Sequence, residues 1–139
     1  MITGYVVRVA DGDTFIMETH DGFQVTVRLY AIDAPEQGQD YGSKSREFLD
    51  ELCFGKEVEV KVVNIDQFER TLGIVFVNGV NINEELVRNG LAWCYKRLAK
   101  DSRLGLLEQL AKEERLNIWS MDYPVHPHDF RKAKQQDNL

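Results

Sequence analysis

Asp11-Gly12-Asp13-Thr14 and Val27-Arg28-Leu29-Tyr30-Ala31-Ile32-Asp33-Ala34-Pro35-Glu36 bracket a predicted hairpin whose turn falls at about His20-Asp21-Gly22. Val25, Val27, Leu29 and Ala31 alternate with Thr26, Arg28 and Tyr30, the pattern of a strand with one apolar face and Arg28 on the other. An arginine inside such a strand is costly without an anionic partner, because its guanidinium stays charged at any ordinary pH. Asp13 begins one strand and Asp33 is expected to end its hairpin partner, so antiparallel pairing brings both acids to one edge of the sheet. A hard cation would bind at that edge.

Two neighbouring carboxylates raise each other's pKa unless a positive charge compensates, and calcium is satisfied by carboxylates, backbone carbonyls and water. Asp13, Asp33 and the carbonyl of Ala34 are the candidate metal ligands. Glu36, just past the rigid Pro35 turn, is placed to act on a water as general base, while Asp11 orders the turn. Taken singly, Asp-Gly-Asp reads as a turn and Arg28 as a surface ion pair; together they favour chemistry.

Working outward, the β-branched run Ile2 to Val9 precedes Thr14 to Thr19, so the chain opens as a three-stranded meander. Ser43 is a helix N-cap candidate, with Phe48, Leu49, Leu52 and Cys53 on one face and Gly55 as the stop. Val58, Val60 and Val62 alternate with charged residues, and Leu72, Ile74 and Phe76 form the apolar set of a fifth strand beyond a turn at Gln67 to Glu69. Asn81 with Glu84 reads as a capping box for a short helix closed by Gly90. A last helix is expected from Asp101 or Ser102 to about Arg115, with Trp119 anchoring the segment beyond it. Pro124 to Arg131 reads as an irregular tail packed back through Phe130, and 133–139 as disordered. The result is one domain, 1–132, of β-dominated α+β class: a five-stranded OB-fold barrel with three helices.

A chain of 139 residues buries a genuine core, and no apolar run is long enough to span a membrane. The formal charge of −6 counts against a simple nucleic-acid-binding module more than against a hydrolase that uses a divalent cation. Arg88, Lys96, Arg97, Lys100 and Arg103 form one basic run, and Arg131, Lys132 and Lys134 another. Cys53 and Cys94 lack metal-site spacing and are expected to be buried. His126 and His128, between prolines and without a third ligand, are not expected to bind a metal. Met1-Ile2-Thr3 enters a strand at once with no signal peptide, as in an intracellular protein or a mature secreted one.

The Asp11–Thr14 turn, Arg28-Leu29 with Ile32 to Glu36, Asp66 to Arg70, Asn83-Glu84 with Leu86 to Ala92, and Leu116 to Ser120 resemble, over about the first 120 residues, the staphylococcal-nuclease-like (thermonuclease) family. The resemblance implies a calcium-dependent nuclease acting on DNA and RNA, leaving 3′-phosphorylated products. It makes Arg28, Glu36 and Arg70 the catalytic candidates. Asp66-Gln67-Phe68-Glu69-Arg70 matches the family's Asp-x-Tyr-Gly-Arg turn, with Glu69 in place of glycine and Phe68 in place of tyrosine. Phe68 and Tyr95 are candidate base-stacking residues, and a monomer is expected. The alternative is a non-catalytic nucleic-acid-binding OB-fold module.

Overall fold

The computed structural model describes residues 1–99 and 102–137. Five strands make the barrel: β1 (Ile2–Asp11), β2 (Thr14–Thr19), β3 (Gln24–Leu29), β5 (Glu57–Ile65) and β6 (Thr71–Val77). They are hydrogen-bonded in the order β3-β2-β1-β5-β6, and a parallel β3–β6 pairing closes the ring. The two-residue β4 (Ile32–Asp33) belongs to a separate small sheet. Closure removes the edges on which an open sheet would aggregate. β1 serves both halves, with Ile2 to Tyr5 on β5 and register shifts between Val6 and Arg8 and between Val9 and Asp11 where it bends along β2. Val6, Phe15, Met17, Val27, Leu29, Val58, Val60 and Val75 fill the interior.

The fifth barrel strand is turned the other way from its expected pattern. Thr71, Gly73, Val75 and Val77 are buried in β6, while Leu72, Ile74 and Phe76 are half-buried on its outer side. The parity that looked apolar is the half-buried outer face, where Ile74 lines a cavity of about 340 Å³ together with Arg103 and Leu104 of a later helix. On β5, Val62 is also exposed, next to a register shift between Val62 and Asn64.

Helix α1 (Gly42–Cys53) buries Ser45, Leu49 and Cys53. Its N-cap is Tyr41, two residues before the expected Ser43, with φ 67° and no side-chain cap bond. α2 (Ile82–Arg88) forms half of the expected capping box: the Asn81 side chain accepts the Glu84 amide at 3.0 Å, while the Glu84 carboxylate accepts from Arg103 Nε instead of reaching back. β7 (Val80–Asn81), β8 (Trp93–Cys94) and α3 (Lys96–Ala99) follow the short connections around it. α4 (Arg103–Glu113) starts at Ser102, which accepts the Gly105 amide at 3.0 Å. Lys100 and Asp101 lie outside the described residues.

More helix is present than the three expected. After a 3-10 turn at Asn117–Ser120, the stretch read as an irregular, then disordered, tail forms α5 (Pro127–Asp137). Pro127 sits at its first position, where the missing amide costs nothing. The helix includes residues 133–137; residues 138 and 139 lie outside the description. Trp119 meets Trp93 edge to face at 5.2 Å, and Cys53 and Cys94 are free and buried. Among the described residues no helix is long and apolar enough to cross a membrane.

Candidate functional site

The site is built where β2 starts and β3 ends. Gly12 lets the Asp11–Thr14 turn approach α1 and the segment after β3: a Cβ there would lie 2.6 Å from Ser45 Cβ and 2.8 Å from Ala34 Cβ. Within that close packing the Ala34 amide donates to Asp13 Oδ2 at 2.7 Å and Thr14 Oγ1 to Asp13 Oδ1 at 3.1 Å. Gly42 does the same for the Glu36 loop, since a Cβ there would lie 2.1 Å from the Glu36 carbonyl oxygen.

Asp33 does not end the hairpin partner of β2, as the alternation suggested. β3 stops at Leu29, Ala31 adopts φ 70°, and Ile32–Asp33 form the separate strand β4, paired antiparallel to β8. The left-handed residue turns the chain through a corner. Asn83 holds that corner, donating to the Tyr30 carbonyl at 3.0 Å and accepting the Val75 amide at 3.1 Å. Arg28 spans its inside: Nη1 donates to the carbonyls of Leu29 (3.0 Å) and Ile32 (2.9 Å). Its Nη2 lies 3.3 Å from both Asp13 Oδ2 and Asp33 Oδ1. Arg28 is only 8% exposed, so the surface ion-pair reading fails.

Both acids are equally hidden, Asp13 at 5% and Asp33 at 3% exposure. Burial pushes the Asp13 carboxyl up to about 7, against the pull of Arg28 and the Ala34 amide and with Asp11 adding to the rise. A carboxyl raised in the fold keeps a proton that the unfolded chain has lost. Its stabilising contribution is therefore complete below the unfolded value of 3.8 and lost as pH rises through about 7. The urea midpoint of the cation-free protein should fall more steeply over that window than the midpoint of Asp13→Asn. Equal slopes would contradict this origin.

Glu36 lies beside the pair, its amide held by Gln39 Oε1 at 2.9 Å. Its carboxylate accepts a hydrogen bond from Arg131 Nη1, and Arg131 Nη2 donates to Asp33 Oδ2 at 3.0 Å. Sequence reasoning missed Arg131 at this position. It stood in a basic run on a segment expected to be irregular, and the one local signal was Pro127 opening a helix that carries it.

Arg70 is not brought into contact with the acids. Asp66 Oδ1 accepts the amides of Phe68 and Arg70, each at 2.9 Å, and Oδ2 accepts Arg70 Nε at 2.8 Å. Arg70 stands one residue before Thr71, which pairs with Val27 beside Arg28, so the two arginines come from neighbouring strands. Glu69 takes up φ 62°, the left-handed conformation that glycine would adopt without strain. Phe68 is exposed, with the Arg70 guanidinium 5.6 Å from its ring centre. Tyr95 is partly exposed and lines an open cavity of about 440 Å³ with Asp33, Lys96, Arg97, His126 and Arg131. Two members of the first basic run are ion-paired elsewhere, Arg103 to Glu84 at 2.7 Å and Arg88 to Glu85 at 3.4 Å.

The donor chemistry fits a hard divalent cation: all-oxygen, carboxylate-rich, with a buried acid short of positive charge. Among the described residues no three acid, imidazole or thiol groups converge as a ready-made cage. An ion bound there would complete its shell with backbone carbonyl and water. His126 instead packs against the Trp93 ring at 5.2 Å.

Residues 26–121 match the profile of the family described as "Staphylococcal nuclease homologue". The chain is 40% identical over 135 residues to an "Uncharacterized endonuclease" of Escherichia coli O157:H7, an alignment covering 96% of this chain and 87% of that protein. It is 36% identical over 143 aligned residues to a "Micrococcal nuclease" of Shigella flexneri, covering 95% and 82%. A third relative, an "Uncharacterized endonuclease" of Haemophilus influenzae, is 34% identical over 130 residues, covering 94% and 73%.

Proposed function

Since the chain belongs to the staphylococcal nuclease family, we propose that it is a calcium-dependent nuclease that hydrolyses phosphodiester bonds of DNA and RNA. The carrying observation is Arg28 fixed between two buried acids beside the half-exposed Glu36.

Asp13, Asp33 and the Ala34 carbonyl would hold the cation, which when bound supplies neutralising charge and polarises a phosphate oxygen. Glu36 accepts a proton from the attacking water or orients it. Arg28 stabilises charge on the five-coordinate phosphate, with its position already set by two carbonyls and two carboxylates, so little reorganisation accompanies the reaction. Arg70 closes on the phosphate from the neighbouring strand, and Asp66 holds its Nε while leaving the outer guanidinium nitrogens to the substrate. Phe68 and Tyr95 offer ring faces to unstacked bases, suiting single-stranded substrate and slight sequence preference.

The test is release of acid-soluble nucleotides from denatured DNA and from RNA supplied with calcium, with analysis of the new ends. Products ending in a 3′-phosphate are expected from cleavage between phosphorus and the 5′ oxygen. Products with a 5′-phosphate and a free 3′-hydroxyl would place the cut on the other bond. Binding of nucleic acid with no release would favour the binding-module reading.

A further inference from the structure

Arg131 does in this structure what a bound cation would do. Its guanidinium bridges Asp33 and Glu36 from a helix that lies outside the barrel, 98 residues along the chain from Asp33. Charge-assisted bonds of this kind are strong, and they use oxygen lone pairs that a metal or an attacking water would need.

The rest of α5 is lightly attached. Pro127 is its one buried residue among those described, Phe130 and Arg131 are half-buried, and the remainder faces solvent. The segment leading into it adds the His126 contact with Trp93 and a hydrogen bond from Gln39 to the Val125 carbonyl. A helix with so little buried surface loses few apolar contacts if the acids acquire another cation.

We propose that α5 is an autoinhibitory strap whose Arg131 competes with the divalent cation for Asp33 and Glu36. The cation-free site is closed by the chain's own counter-charge, and binding of the cation expels Arg131, freeing Glu36 and lifting α5. The inference rests on the cation-binding reading above and adds to it a switch that keeps the base inactive until the cation arrives. Competition for shared ligands raises the apparent dissociation constant, because the binding-competent form is only a fraction of the population.

Calorimetric titration of the full chain with calcium tests it, comparing wild type, Arg131→Gln and Lys132→Gln. Lys132 is an exposed neighbour on the same helix, so its substitution removes one positive charge without touching the acid pair. Arg131→Gln should tighten calcium binding by roughly tenfold at low ionic strength, while Lys132→Gln stays within about twofold of wild type. Hydrogen exchange supplies a second readout: amides of 128–137 should lose protection on adding calcium, and should already be unprotected in calcium-free Arg131→Gln.

Calcium binding by Arg131→Gln that is no tighter than that of Lys132→Gln, with α5 protection unchanged by calcium, would overturn the strap and leave the nuclease reading standing. Failure of all three proteins to bind calcium would overturn both.

Discussion

Arg28→Ala should lose turnover and stability together. Loss of a preorganised donor to the developing phosphate charge costs about 10²–10³ in rate. The same substitution strands the buried Asp13 without its counter-charge and leaves Asp33 with Arg131 alone, and removing one partner of a buried pair costs about 3–5 kcal/mol. The Leu29 and Ile32 carbonyls would also lose their donor at the Ala31 corner. Chemical denaturation and steady-state kinetics on the same preparation measure both effects. A variant that keeps wild-type stability would mean that the acids find other partners, and one that keeps wild-type turnover would remove Arg28 from the chemistry. Arg28→Lys separates the two, since a lysine restores charge without the fork that reaches two acids and two carbonyls.

Glu36→Gln should behave differently, with a large kinetic effect and a small structural one. General-base catalysis is worth about 10²–10⁴ in rate, and the amide has no lone pair basic enough to replace the carboxylate. Glu36 is half-exposed and its loop is held by the amide bond to Gln39 and the close approach of Gly42, neither of which needs the side-chain charge. The denaturation midpoint should therefore stay near that of wild type while kcat falls. A variant with near-normal kcat would exclude Glu36 as the base, and a fall confined to KM would make it a substrate contact instead.

Arg28, Asp13 and Asp33 were legible together because a permanent charge in an apolar strand demands an anion, and the two acids bounding the hairpin were the nearest supply. The route by which Asp33 arrives was not legible. Ala31 takes a left-handed conformation that nothing in its side chain favours, and the corner is stabilised from a distance by Asn83. The inward face of β6 was misread for a related reason: in a barrel whose outer wall is covered by helices both parities are apolar, and alternation alone cannot say which is inside. α5 and Arg131 were hidden because the segment is strongly polar and buries only Pro127, and what ties it to the site is a long-range ion pair. Arg70 shows the limit of a motif. Its turn forms with Glu69 in the glycine's conformation, yet the arginine rests on Asp66, away from the acids it is proposed to work with.

In the proposed function the buried acids and Arg28 form a cation-dependent phosphodiesterase centre. The direct test is the time course of acid-soluble nucleotide release from denatured DNA, run with calcium in excess, with a chelator in excess, and with calcium restored. Release with calcium, none with the chelator, and recovery on restoration is the predicted result. Equal release under chelation, or none under any condition by a folded protein, would contradict it.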